Sequence, residues 1–105
     1  MKLYKDHGID VKPMPITAGE SISIEYKGLL AKSGADKVFL HTGYGSSSWD
    51  NVKDIQMREK NGDWKTELYV DNDQRLNICF HDSACNWDNN CGKNWSFIVH
   101  NGGHY

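Results

Sequence analysis

The sequence predicts an all-β fold, an antiparallel β-sandwich. Three observations favour it: apolar residues recur at every second position, no segment shows the apolar period of a helix, and turns rich in Gly, Asn and Asp separate the apolar segments. Because 105 residues provide one hydrophobic core, we expect a single domain over residues 1–105. Its core is expected at about residues 10–100.

The alternating segments define the expected strands in chain order. Their apolar positions are Ile22, Ile24 and Tyr26; Val38 and Leu40; Ile55 and Met57; Leu68 and Val70; Leu76, Ile78 and Phe80; Trp95, Phe97 and Val99. Alternate side chains of a strand share a face. The residues predicted to be buried on this ground are Ile22, Ile24, Leu40, Leu68, Ile78, Phe80 and Phe97. Trp64 begins a strand, and Trp95 shares a strand face with Phe97 and Val99, so both are also expected in the core.

The connecting segments differ in length. Residues 7–19 contain Pro13 and Pro15 and are expected to form an extended edge or lead-in to the first strand. Two connections, over residues 41–51 and 81–94, are longer than hairpins need. Residues 101–105 are expected to fray.

The composition excludes two classes of partner. A net charge of -2 without a Lys/Arg cluster leaves little attraction for nucleic acid, and no apolar run reaches the length of a membrane span. The first seven residues lack the apolar region of a secretory signal. We therefore expect a cytoplasmic protein if the chain is full length, and an extracellular one if it is a module of a secreted enzyme.

The three cysteines lie close together, at Cys79, Cys85 and Cys91. An odd number cannot all pair within the chain, which favours reduced thiols. A metal site made of His81, Cys85 and Cys91 would lack both the C-x-x-C spacing of structural zinc sites and a fourth ligand. We expect neither a metal nor a cofactor, with Cys79 in a strand and the other two cysteines in a loop.

An enzymatic function is not expected. Glycoside hydrolysis needs two carboxylates across a scissile bond, and the candidate acids are Asp82 and Asp88 of the second long connection. Both have simpler uses, Asp82 in capping a turn and Asp88 in bracing its loop through backbone amides. The motifs of serine hydrolases, P-loop proteins and zinc hydrolases are missing from the sequence.

The two long connections resemble one another. The first runs from Phe-Leu-His at residues 39–41 to Trp-Asp-Asn at 49–51, and the second from Cys-Phe-His at 79–81 to Trp-Asp-Asn at 87–89. Trp49 and Trp87 stand in polar surroundings, where a large aromatic side chain loses its burial energy unless a partner covers it. The alternative is that each tryptophan folds back to cap the core.

A sugar ring fits such a partner, since its apolar C–H face can stack on indole while its hydroxyls need polar neighbours. The candidate polar groups are His41, Asp88, Asn89 and Asn90. Strand parity points His41 and His81 outward. Tyr44 is either a further sugar platform or a packing residue that braces the loop.

A family resemblance covers about residues 10–100. Its motifs are Val-Phe-Leu-His-Thr-Gly-Tyr-Gly at 38–45, Trp49, Met57, Gly-Asp-Trp at 62–64, and Asn-Trp-Asp-Asn-Asn at 86–90 with Gly92 and Trp95. The chain resembles the starch-binding carbohydrate-binding modules of family 25, with families 26 and 53 as relatives.

This resemblance implies an immunoglobulin-like β-sandwich that binds α-glucans such as starch, glycogen and maltooligosaccharides without turnover. It implies that His41, Trp49 and Trp87 are the main contacts, with hydrogen bonds from Asn89 and Asn90. The expected partners are the glucan and an amylolytic or glycogen-metabolising enzyme, and a monomer is expected. The alternative is a cytoplasmic glycogen-associated scaffold of the same fold. His81 departs from the small polar residue that relatives tend to have.

Overall fold

The computed structural model describes residues 2–6, 8–45, 49–89 and 94–101. In chain order the elements are β1 (Lys2–Asp6), β2 (Ile9–Met14), β3 (Ile16–Thr17), β4 (Ser21–Tyr26), α1 (Leu29–Lys32), β5 (Val38–Tyr44), β6 (Asp50–Gln56), β7 (Arg58–Lys60), β8 (Asp63–Tyr69), β9 (Leu76–Asp82), β10 (Trp87–Asp88), β11 (Trp95–Phe97) and β12 (Val99–His100). The predicted all-β fold is confirmed. The one-turn α1 was not predicted, since a single turn shows no periodicity.

Two antiparallel sheets enclose the core. The first has the order β1-β2-β4-β8-β7, and the second has the order β10-β9-β5-β6, with β11 also paired to β9. A short parallel pair joins β12 to β3. In the second sheet β5 lies between β6 and β9, so its outward side chains occupy the middle of that sheet's outer face.

The core forms from the alternating positions that the sequence predicts. All seven predicted residues are buried, as are Trp64 and Trp95. Tyr26 of the first sheet stacks on Phe80 of the second, with ring centroids 4.2 Å apart, and Trp95 meets the edge of Phe80 at 5.5 Å. These contacts fix the two sheets face to face.

The N-terminal segment corrects one expectation. Residues 9–14 are extended, but β2 is an inner strand, paired with β1 on one side and with β4 on the other. Its Ile9 and Val11 are fully buried. The strand at this edge of the sheet is β1, whose short mixed sequence carries no clear alternation. Within the described residues, no helix is long and apolar enough to cross a membrane.

Candidate functional site

The outer face of the second sheet gathers the candidate side chains. In β5, Val38 and Leu40 point into the core, while Phe39 and His41 point outward and are half-buried. The register places His41 beside Asp54 of β6, and Phe39 beside His81 of β9. The predicted outward direction of both histidines agrees with this placement.

The two loop tryptophans meet at these histidines. Ring centroids are 5.7 Å apart for His41 and Trp49, 5.1 Å for His41 and Trp87, and 4.5 Å for His81 and Trp87. One imidazole therefore contacts both indoles. We call His41, His81, Trp49 and Trp87 the aromatic surface.

The two indoles lie at different angles. The Trp49 plane is inclined by 30° to the His41 ring and the Trp87 plane by 90° to the same ring. The two indole planes are consequently inclined to one another by at least about 60°, by the same geometry. A ligand touching both must bend or twist between them.

Trp49 lies over a glycine. A Cβ added at Gly43 would stand 2.6 Å from the Cβ of Trp49 and 2.9 Å from its Cε3, both too close for real atoms. The pairing of β5 with β6 is irregular between Thr42 and Tyr44, where Gly43 lies, as expected for a glycine at a bulge or a close approach. The missing side chain thus creates the seat of Trp49.

Trp87 stands on a strand rather than in an open loop. It opens β10, pairs with His81 of β9 and remains 49% exposed. A core cap would be covered, so this exposure favours the interpretation of Trp87 as a contact for a partner. Trp49 is partly exposed.

The structure corrects the prediction of Tyr44 as a candidate sugar platform. Its side chain is only 2% exposed, inside the core, and its hydroxyl accepts a hydrogen bond from the backbone N–H of Asp71 at 3.4 Å. Burial is the main cause that raises its pKa. Tyr44 lies an even number of positions after Val38 and Leu40 in β5, so strand parity turns it toward the core with them. Its ring therefore offers no face to a ligand. The packing alternative is therefore the one that holds.

Asp88 braces the surface from behind. Its Oδ2 accepts a hydrogen bond from the hydroxyl of Tyr26 at 2.5 Å and one from the backbone N–H of Leu29 at 3.4 Å. The same hydroxyl accepts from the N–H of Leu30 at 3.0 Å. Burial, and then the bond to Asp88, raise the pKa of Tyr26 well above its usual value, so it remains a donor. Asp88 therefore joins β10, the core and α1.

The remaining polar candidates are placed in part. Asn89 is exposed beside Trp87, and its backbone carbonyl accepts from the N–H of Asn94 at 2.7 Å. Asn90 lies outside the described residues. Asp82 caps a turn as expected, accepting from the backbone N–H groups of Ala84 and Asn86 at 3.0 and 2.8 Å. Hydrogen bonds from Asn86, the side chain first, lower the pKa of Asp82.

Asp54 is a site residue that sequence reasoning missed. Its Oδ1 contacts Nδ1 of His41 at 2.8 Å and Nε2 of His81 at 2.9 Å. Burial acts to raise the pKa of Asp54, but these hydrogen bonds and the nearby histidines hold it below its usual value. Only the register of β5 and β6 could have identified it, because nothing in the run around Asp54 marks one acid over another.

The described cysteines are free thiols. Cys79 is buried in β9, as predicted, and Cys85 is exposed before β10. Burial, with the charges of Asp54 and Asp88, raises the pKa of Cys79 to about 12. Cys91 lies outside the described residues. His81 was the third residue of the metal site weighed with Cys85 and Cys91, and its Nε2 atom faces Asp54.

Comparisons with known proteins give one family. A family model described as "Starch/carbohydrate-binding module (family 53)" matches residues 22–78, which include most of β4, all of β5 to β8 and part of β9. This range holds His41, Trp49 and Asp54, but not Trp87. A comparison with curated proteins returned no match.

Two solved structures resemble the chain. The structure of an iodinated CBM25 from a Bacillus halodurans amylase is 22% identical, with a TM-score of 0.56 over 79% of this chain and 87% of that one. A Br derivative of BhCBM56 is 16% identical, with a TM-score of 0.48 over 90% and 89% of the two chains. The first likeness concerns the fold alone.

Proposed function

Because the chain belongs to the starch/carbohydrate-binding module family 53, we propose that its aromatic surface binds an α-glucan without turnover. Glucose rings stack on Trp49 and Trp87. The observation that carries this proposal is the pair of inclined, partly exposed indoles held by one imidazole.

The inclination of the indoles supports a choice of glucan. A flat chain such as cellulose could stack on coplanar rings, whereas planes inclined by at least about 60° need a chain that curves between them. The α-1,4 linkage gives glucose chains a helical curve. Amylose-like segments of starch and glycogen, and maltooligosaccharides, are therefore the ligands that the surface fits best.

The strength of binding follows from the area that stacking covers. Removing roughly 100 Å² of apolar surface per ring at about 25 cal/mol per Å² provides on the order of 2.5 kcal/mol. Two such contacts, less the cost of association, correspond to a dissociation constant of roughly micromolar to millimolar. A weak module of this kind would raise the local concentration of a partner enzyme on the polysaccharide.

His41 orients the stacked sugar through a hydrogen bond to one of its hydroxyls. Its Nδ1 lies 2.8 Å from the carboxylate of Asp54, which can only accept a hydrogen bond when ionised. In the neutral ring the proton is then on Nδ1, and Nε2 is left as an acceptor for a sugar hydroxyl. Asp54 is accordingly a positioning residue for His41, and exposed Asn89 offers further polar groups at the edge of Trp87.

Affinity electrophoresis under native conditions tests the proposal. Gels containing starch, glycogen or pullulan should retard the protein, and gels containing cellulose derivatives or xylan should not. The Trp49→Ala/Trp87→Ala double variant, with a cooperative thermal transition that shows it is folded, is the matched control and should migrate freely in every gel. Equal retardation of the variant and the native protein, or retardation by xylan alone, would contradict the proposal.

A further inference from the structure

Three strands bring nitrogen and oxygen ligands to one point on the outer face of the second sheet. His81 comes from β9, His41 from the adjacent β5 and Asp54 from β6. Nδ1 of His41, Nε2 of His81 and Oδ1 of Asp54 all lie within 4.8 Å of one another. Regular strands hold such groups more precisely than loops do.

The hydrogen bonds of His81 leave a conflict at Asp54. Its Nδ1 lies 3.2 Å from the backbone carbonyl of Asp82, and its Nε2 lies 2.9 Å from the carboxylate oxygen of Asp54. A carbonyl and an ionised carboxylate can only accept a hydrogen bond, and a neutral imidazole has one N–H. In the neutral ring one of the two nitrogens therefore turns a lone pair toward an oxygen. A cation, either a second proton on the ring or a metal ion at Nε2, removes this conflict.

We propose that His41, His81 and Asp54 form a binding site for a divalent transition-metal ion, with Zn²⁺ as the best match. The site shares His41 and His81 with the aromatic surface, and a metal ion on Nδ1 of His41 would leave the proton of that ring on Nε2, which would then donate to a sugar hydroxyl. It uses no ligand from the cysteine loop.

The donor set supports this choice. Two neutral imidazoles and one carboxylate are a common set for zinc, with the remaining position left to water. The bond from Nδ1 of His81 to a backbone carbonyl is the outer contact that typically orients a metal-binding histidine.

The distances require little movement. Two atoms bonded to one Zn²⁺ at about 2.0–2.2 Å are at most about 4.4 Å apart. Two of the three pairs here are at 2.8 and 2.9 Å, and the third is at most 4.8 Å. The Asp54 side chain is 50% exposed, so it can rotate to admit an ion.

Cobalt and zinc titrations of the untagged, chelator-treated protein test the site without any glucan. One equivalent of Co²⁺ should give visible absorption of a nitrogen and oxygen site, without the strong near-ultraviolet band of thiolate ligation, and Zn²⁺ should displace it. Asp54→Asn and His81→Asn should each weaken Zn²⁺ binding by more than about tenfold, a loss that even outer contacts can cause. Because Asp54 is exposed, its variant should keep the native melting temperature.

Matched controls identify the ligands. Asp50→Asn removes another exposed acid from β6, His100→Asn removes an exposed histidine, and Cys85→Ser/Cys91→Ser removes the loop thiols; all three should bind Zn²⁺ like the native protein. Native binding by Asp54→Asn and His81→Asn, or the lack of any specific Co²⁺ spectrum, would overturn the proposal and leave a proton between the two groups. Retardation by starch in the presence of chelator reports on glucan binding alone, so either proposal can fail without the other.

Discussion

Tyr26 donates a 2.5 Å hydrogen bond to Oδ2 of Asp88, across the interface between the two sheets. Tyr26 is fully buried and belongs to β4, whereas Asp88 follows the exposed Trp87 in β10. The short strand that presents Trp87 is thus fastened to the core through its neighbouring residue.

The substitution Tyr26→Phe should affect both stability and binding. It leaves the N–H of Leu30 and the carboxylate of Asp88 without this hydroxyl, which should cost about 1–3 kcal/mol in the free energy of unfolding. Glucan affinity should also fall, by less than in Trp87→Ala, because β10 loses its anchor. Chemical denaturation and calorimetric titration with maltoheptaose measure the two effects. Tyr69→Phe, at an exposed tyrosine, should change neither stability nor affinity. Native stability and affinity of Tyr26→Phe would show that the hydrogen bond between Tyr26 and Asp88 contributes to neither.

The substitutions Trp49→Ala and Trp87→Ala should each weaken maltooligosaccharide binding by roughly 1.5–3 kcal/mol, the scale of one stacking surface. Calorimetric titration measures this loss as about tenfold or more. Stability should change by about 1 kcal/mol or less for Trp87→Ala, since the side chain is half in water. If either variant unfolded while residual binding survived, the tryptophans would be core caps.

The core tryptophans should show the opposite pattern. Trp64→Ala and Trp95→Ala should each cost about 3–5 kcal/mol of stability, because each opens a cavity. Trp95→Phe should cost less, since the indole N–H of Trp95 is buried without a hydrogen-bond partner among the described residues, and its removal relieves that penalty. Urea denaturation measures all three, and equal losses for the Phe and Ala variants at position 95 would argue against this balance.

The substitution Gly43→Ala should weaken glucan binding by displacing Trp49, since the new methyl group would stand 2.6 Å from the Trp49 Cβ. A double-mutant cycle separates this cause from general damage. Adding Gly43→Ala to Trp49→Ala should cause no further loss of affinity, because there is no indole left to displace. Additive losses would place the effect of Gly43→Ala elsewhere.

The cysteines should differ in reactivity. Cys85 is exposed and should be alkylated rapidly in the native protein, whereas Cys79 is buried and its raised pKa keeps it a thiol. Mass spectrometry of peptides after brief alkylation measures the difference. Complete alkylation of Cys85 should leave starch retardation unchanged, and loss of retardation would give that thiol a role in binding.

The fold follows largely from local patterns in the sequence. Alternation in β4, β5 and β8 identifies the strands and the side of each that faces the core, because burial on one face requires a period of two. In β9 the alternation identifies the strand, but Asn77 and Cys79 of its other face are buried as well. The same parity turns His41 and His81 outward. The strand β1 was missed because its short sequence shows no clear alternation, although it pairs with the neighbouring strand β2. The helix α1 was missed because a single turn shows no periodicity, and its contact with Asp88 is distant in the chain.

The site is less accessible to sequence reasoning. Trp49 and Trp87 stand out because large aromatics in polar surroundings need a partner. Asp54 does not stand out, because its importance comes from the register of β6 on β5, which depends on the irregular pairing near Gly43. The bracing role of Asp88 likewise depends on Tyr26, 62 positions away in the chain.

The packing of Trp49 on Gly43 should make these two positions covary during evolution. Any substitution that gives residue 43 a side chain removes the space that the indole occupies, so the two positions cannot vary freely while the platform is kept. Among homologous chains, a larger residue at position 43 should accompany a small residue at position 49. A library randomised at both positions and selected for starch binding should return glycine at position 43 together with tryptophan at position 49.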